Sequence, residues 1–212
     1  MMIFHEYKAI FVHIPKAGGT SIENFLWPNI QSRGVDSLWM GFVKPHYNKY
    51  QTGGLQHLLA KQVQTEVGDT VFSSYYKFSI SRNPWDKAVS QFCFMQRRKD
   101  LRDFVGMDER DTFEKYLELI QKKEHVQWKN QLDFILDDNG ERLVDDCFKL
   151  EHLSAAKENL SLRLGINIFE LPHDNKGDKK SQSHYYSDET REIVSEIYKD
   201  DIQYFKYKFE LR

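Results

Sequence analysis

Ile10-Phe11-Val12-His13-Ile14-Pro15-Lys16-Ala17-Gly18-Gly19-Thr20-Ser21 is the stretch whose reading decides the fold. A short apolar run stops at a proline. A lysine, two glycines and two hydroxyl residues follow. An apolar-periodic segment with Ile22, Phe25 and Leu26 begins at once. The pattern predicts a buried strand over about 8–14, a tight loop, and a helix near 20–27. Backbone N–H groups at such a strand-to-helix turn point outward and favour an anion. Gly18 and Gly19 bring no side chain that would hold a phosphate at a distance. Lys16 adds a positive charge, and Thr20 and Ser21 add hydroxyl donors.

The rest of the chain has to supply a scaffold for that loop. Its 212 residues are enough for one domain with a sizeable core, taken here as 1–212. Hydrophobic residues make up 40% and charged residues 29%, the balance of a soluble globular protein. The net charge of -2 excludes a global basic field for nucleic acid, so any anion site must be local. Glu6 and Lys8 interrupt the N-terminal apolar run, and no window reaches the ~18 apolar residues of a spanning helix. A cytoplasmic location is the expectation. Cys93 and Cys147, the two cysteines, read as buried thiols rather than a disulfide.

Further strand–loop–helix units follow. Residues 28–54 form a long loop dotted with glycine, proline and asparagine, carrying Trp39, His46, Tyr47 and Tyr50. Leu55–Val67 reads as a short helix. Tyr75–Ser81 reads as a second strand that stops at Arg82-Asn83-Pro84, with Asn83 as N-cap and Pro84 as first residue of a helix over about 84–97. The charged stretch Arg97–Arg110 reads as a solvated connection, and Asp111 and Thr112 as caps for a helix near 112–123. The class of Gln127–Leu136 stays open. Asp137-Asp138-Asn139-Gly140 reads as a turn, Arg142–Lys149 as a strand, and 151–164 as a helix ending near Gly165. A strand over 166–170, a polar loop over 173–183, a helix over about 187–200 and an aromatic tail complete the chain. The alternation predicts an α/β, P-loop-like three-layer fold with a central, mainly parallel sheet flanked by helices. Ligands of such sheets sit beyond the carboxyl ends of the strands, where Lys16 and Arg82 both fall.

The first loop is not a Walker A motif, because its lysine precedes the glycines. Pro-Lys-Ala-Gly-Gly-Thr-Ser after a strand instead resembles the 5′-phosphosulfate loop of sulfotransferases. Phe78-Ser79-Ile80-Ser81-Arg82-Asn83-Pro84, with Ser90 eight residues after Arg82, resembles the 3′-phosphate motif of the same family. Phe148-Lys149-Leu150-Glu151-His152-Leu153 is similar to its Arg-Phe-Glu-x-Leu segment. His184–Glu189 and the ending Asp201–Phe209 look like the C-terminus of bacterial members related to Golgi carbohydrate sulfotransferases of the heparan 2-O and chondroitin types.

The resemblance implies transfer of a sulfuryl group from 3′-phosphoadenosine 5′-phosphosulfate (PAPS) to an acceptor hydroxyl, on a glycan or glycolipid, with PAPS as co-substrate and no metal. Negative charge builds on the departing 5′-phosphate, so the protein's task is positioning and charge stabilisation. Lys16 would neutralise that charge. The backbone from Gly18 to Ser21, next to Ala17, and the Thr20 and Ser21 hydroxyls would hold the remaining oxygens. Arg82 and Ser90 would grip the 3′-phosphate, a group that a guanidinium fits in bidentate fashion.

The acceptor hydroxyl must lose a proton, so a general base is expected. His57 resembles the histidine of the Gly-His-Leu/Val segment between the two PAPS motifs, and His46 is the second choice. His13 reads as a packed core histidine. His125 and Gln131 fall in a segment that resembles the acceptor side, and Lys179 and Lys180 in one that resembles a lid over the cofactor. Trp39, Tyr47 and Trp128 read as core aromatics rather than a sugar platform. Two alternatives stay open on sequence: a nucleotide-dependent P-loop-like kinase, and a protein that binds PAPS or its product PAP (3′-phosphoadenosine 5′-phosphate) without turnover.

Overall fold

The computed structural model describes residues 2–26, 54–166 and 184–210. The expected long loop with Trp39, His46 and Tyr47, most of the 166–170 strand, and Lys179 and Lys180 lie outside the described residues. Strand β1 is Met2–Phe4, β2 Ala9–Val12, β3 Tyr76–Ser81 and β4 Asp146–Lys149, in sheet order β1-β2-β3-β4. β1 is antiparallel to β2, whereas β2–β3 and β3–β4 are parallel. The fold is therefore α/β with a central, mainly parallel sheet flanked by helices, as the strand–loop–helix alternation predicts. β1 was not expected, since three residues carry too little pattern to read as a strand.

The described residues group into two compact units. One takes the residues up to Ser81 and those from Gln131 to the end of the helix before Gly165. The other takes Arg82–Asn130 and the C-terminal residues from His184. In the first unit, helix α1 (Gly19–Leu26) brings Ile22 and Leu26 onto Phe4, Ala9, Phe11, Phe78 and Ile80 of the sheet. Helix α2 is Ala60–Val67, α3 Asp69–Ser74, and the other helices of this unit, α7 and α8, are Leu132–Ile135 and Leu153–Leu164. Leu160 and Leu164 of α8 join the same apolar cluster. Ile10 and Val12 point to the opposite face of β2 and are equally buried, so β2 is covered on both sides, as parallel strands require. The Ser79 hydroxyl on that face donates to the Val12 carbonyl at 2.7 Å, which satisfies a polar group inside the sheet.

Between α3 and α7 in sequence, the second unit holds helices α4 (Pro84–Met95), α5 (Lys99–Val105) and α6 (Phe113–Ile120), with α9 (Asp188–Ile197) and α10 (Lys199–Phe205) following α8. Its core is aromatic: Phe92, Phe113, Tyr116 and Tyr185 meet at centroid distances of 5.6–6.0 Å. Phe209 of the tail packs edge-on against Trp85 and Tyr186. Phe205 and Tyr207 of the tail are buried, whereas Tyr204 is exposed.

Four boundaries differ from the sequence reading. The segment read as one helix from Leu55 is a 3-10 turn, Gly54–His57, followed after Leu58 and Leu59 by α2. The stretch 97–110 contains α5 instead of being only a connection. Leu101 and Val105 are buried, and the Arg102 guanidinium donates to the Met95 and Gln96 carbonyls at the end of α4. The strand read over Arg142–Lys149 begins only at Asp146. The last helix breaks at Tyr198, whose buried hydroxyl donates to the Trp128 carbonyl. No disulfide joins Cys93 and Cys147. No described helix is long and apolar enough to cross a membrane.

Candidate active site

β2 ends at Val12, and the chain turns through His13-Ile14-Pro15 into the loop that starts α1. Pro15 has no N–H to offer a ladder, so the strand stops before it. Lys16 sits at φ 64 and Gly18 at φ 84, two left-handed positions within three residues. Glycine adopts that region freely, whereas lysine does so at a cost. The Ala17 N–H donates to the Ile14 carbonyl and the Ser21 N–H to the Gly18 carbonyl, at 3.3 and 3.2 Å. The loop closes on itself through these two bonds. Gly18, Gly19 and Thr20 carry the first-turn N–H groups with which α1 can meet an anion. Thr20 is exposed and Lys16, Gly18 and Ser21 are half-buried.

The glycines are required for a reason other than the one the sequence gives. A Cβ on Gly19 would lie 2.2 Å from the His13 ring, and one on Gly18 would lie 2.6 Å from the Leu150 side chain. Both residues let the loop press against its own protein neighbours. The donor set nevertheless fits an anionic ligand, because it combines α1's first turn with the Lys16 cation and the exposed Thr20 hydroxyl.

Behind the loop lies a buried polar cluster that local sequence patterns did not reveal. His13, Glu23 and His57 are 4%, 2% and 8% exposed. The Glu23 carboxylate is 2.5 Å from His13 Nδ1. The Gln56 amide donates to both Glu23 oxygens at 3.0 and 3.1 Å. His57 Nδ1 donates to the His13 carbonyl at 3.1 Å, and the two imidazoles meet edge-to-face at 4.7 Å. Glu23 lies between Ile22 and Leu26 on the apolar face of α1. An acid at such a position implies a buried partner, and that is the one signal that could have found the cluster.

The charges follow from burial and pairing. Burial holds the His57 pKa well below 6.5, and the positive sides of His13 and Lys16 push the same way. Burial also lowers His13, although Glu23 opposes it. Burial alone would raise Glu23, but His13 and the Gln56 amide bring it down to about 2. Glu23 is therefore an anion and His57 a neutral imidazole at pH 7. A carbonyl only accepts, so the bond to His13 fixes the proton of His57 on Nδ1 and the lone pair on Nε2.

The carboxyl ends of parallel β2 and β3 lie at one sheet edge, and Arg82 is the residue directly after β3. In the second unit, Asn83 caps α4 by accepting from the Trp85 N–H at 3.1 Å, and Pro84 opens the helix, as the sequence predicts. Arg82 and Ser90 are half-buried. Ser90 shares its stripe of α4 with Asp86 and Cys93, whereas Lys87 and Gln91 face inward. His125 is a capping residue, accepting from the Gln127 N–H and stacked on Trp128. Gln131 and Trp128 are buried.

A parallel sheet edge carrying a lysine–glycine turn at a helix start suits an anionic group. The chain belongs to the sulfotransferase family, whose model matches residues 1–208. Family membership makes it a transferase of sulfuryl groups. The crystal structure of the mouse sulfotransferase SULT7A1 complexed with PAP matches with a TM-score of 0.57 at 15% identity. The match covers 95% of this chain and 85% of that one. No curated protein sequence matches this chain.

Proposed function

We propose that this sulfotransferase moves the sulfuryl group of PAPS to a hydroxyl of a carbohydrate acceptor, a glycan or glycolipid, with His57 as general base. The observation that carries the reading is the bond from His57 Nδ1 to the His13 carbonyl, which leaves the basic lone pair on Nε2 of a histidine that burial keeps neutral. PAPS supplies an electrophilic sulfuryl group on a phosphate leaving group. Lys16 and the first-turn N–H groups of α1 balance the charge that accumulates on that phosphate. Arg82 and Ser90 bind the 3′-phosphate, and Lys179 and Lys180 take part in binding the nucleotide. The carbohydrate reading is supported by the likeness of His184–Glu189 and Asp201–Phe209 to the C-terminus of bacterial members related to Golgi carbohydrate enzymes. Labelled PAPS offered to a panel of glycans, glycolipids and small hydroxylated metabolites tests it. Label on a glycan is expected, and transfer only to a phenol or a non-sugar metabolite overturns the carbohydrate assignment.

Two further expectations follow from these roles. Arg82→Ala raises the KM for PAPS by roughly 10- to 100-fold, the worth of a charge-assisted bond, with a smaller change in kcat. An unchanged KM removes Arg82 from the 3′-phosphate site. His57→Ala lowers turnover by roughly 10²–10⁴. Because the folded pKa of His57 is depressed, the base stays unprotonated as pH falls through 6.5. The acidic limb of kcat/KM therefore lies below that value and disappears in the variant. Protonation of the unfolded chain begins near 6.5, so the same burial makes acidification favour unfolding. A His57→Ala enzyme with the wild-type rate and pH profile excludes His57 as base.

A further inference from the structure

We propose that Glu23 is a positioning residue that ties the 3-10 turn bearing His57 to the glycine loop, holding His57 in the single tautomer that accepts a proton at Nε2. The inference rests on the reading of His57 as the base and extends it to a residue that no sequence motif of the family segments above includes. Glu23 stands on α1, the helix that begins at the phosphate-facing turn. Its two oxygens receive the Gln56 amide, and one of them also lies against His13 Nδ1. Gln56 is the neighbour of His57 in the 3-10 turn, and His13 supplies the carbonyl to which His57 Nδ1 donates. One carboxylate thus holds both the residue before the base and the residue whose backbone orients it.

The burial of Glu23 gives the arrangement its cost and its rigidity. A carboxylate at this depth is retained only where charged or hydrogen-bonding partners surround it. Those partners are His13 and Gln56, and Lys16 adds positive potential on the same cluster. The His13 ring cannot swing away from Glu23 toward α1, because Gly19 already lies against its Nε2 edge. Stacking on Phe11 at 5.5 Å closes another side, and His57 a third. A displaced His57 could present Nδ1 instead of Nε2, or take its proton on the other nitrogen. Either change removes the base from its task without touching the glycine loop.

The test reads the imidazole directly and needs no acceptor. Long-range proton–nitrogen correlation spectra of the full chain with nitrogen-labelled histidine report the tautomer and titration of His57, with PAP binding as the measure of an intact loop. Wild type is expected to show one His57 tautomer, protonated at Nδ1. Glu23→Gln offers one acceptor oxygen where the carboxylate uses two. It is expected to mix the two tautomers and move the His57 titration up toward 6.5, with PAP still bound. Gln56→Leu keeps the His13–Glu23 pair and cuts only the link to the turn, so it is expected to act in the same direction and decides the matter if Glu23→Gln fails to fold. With an acceptor from the panel, both variants are expected to lose roughly 10- to 100-fold in kcat with little change in the KM for PAPS. A single unchanged tautomer and titration in a PAP-binding Gln56→Leu protein overturns the positioning role. A His57→Ala enzyme of normal rate instead overturns the base reading and leaves the spectroscopic result standing, so the two failures are distinct.

Discussion

Gly19→Ala is expected to cost the protein its loop geometry rather than a few tenths of a kilocalorie of helix propensity. In an ordinary helix position the added methyl would stabilise, since alanine outranks glycine by about 1 kcal/mol. Here the Cβ would meet the His13 ring at 2.2 Å, and His13 has nowhere to retreat because Phe11, Glu23 and His57 occupy its other sides. Overpacking of a rigid site costs about 1–3 kcal/mol, which for a chain of this size lowers Tm by roughly 2–12 °C. The relaxation must move either the loop or His13, and His13 carries the carbonyl that orients His57. PAP affinity and turnover are therefore expected to fall together. The contact itself is tested by combining Gly19→Ala with His13→Ala. His13→Ala alone removes one partner of the Glu23 carboxylate, but it also removes the ring that the new methyl strikes. The double variant is expected to be less destabilised than the sum of the two single changes. Strict additivity in thermal melts would show that the two residues do not press on one another.

The same pair of residues marks the boundary between what local chemistry dictates and what only the folded chain decides. Pro15, the glycine pair, and Asn83-Pro84 act on the backbone within a few residues, so the ends of β2 and β3 and the starts of α1 and α4 are legible in the sequence. The need for Gly19 is legible too, but its cause is not: the ring it meets is six residues away around a turn whose course no pattern specifies. The Gln56–Glu23 bonds span 33 residues and the His57–His13 bond 44, and neither leaves a periodic trace. The break between the 3-10 turn and α2 follows from those bonds, which is why an apolar pattern starting at Leu55 reads as one helix. Helix α5 is hidden for a related reason. Its inward face is Leu101, Val105 and Arg102, and the arginine looks like surface until its head finds the carbonyls at the end of α4. The positions of Lys16 and Arg82 in the fold were readable because they follow strand ends. The residues that prepare His57 were not, because each acts through a partner distant in sequence.

Lys16 carries the largest expected effect, and its backbone makes the test unusually discriminating. Lysine at φ 64 pays a steric cost of about 1–2 kcal/mol that glycine would not pay. Selection for stability alone would place glycine there, as it does at Gly18 two residues on. Under the reading proposed above, the ammonium group returns something beyond the shape of the turn. Under the proposed role, that return is stabilisation of charge on the departing phosphate, and loss of one such preorganised donor lowers kcat by roughly 10²–10³. Lys16→Ala and Lys16→Gly remove the same cation and are expected to lose the same turnover. They differ only in the left-handed residue that remains, so the glycine variant is expected to be more stable than the alanine variant by about 1 kcal/mol. Stability thus changes across the pair while activity does not: the glycine enzyme melts higher than the alanine enzyme and is equally inactive. If Lys16 served only to shape the turn, glycine would restore both properties at once. A Lys16→Gly enzyme that transfers label from PAPS at the wild-type rate would remove the lysine from the chemistry and leave the loop as a structural turn.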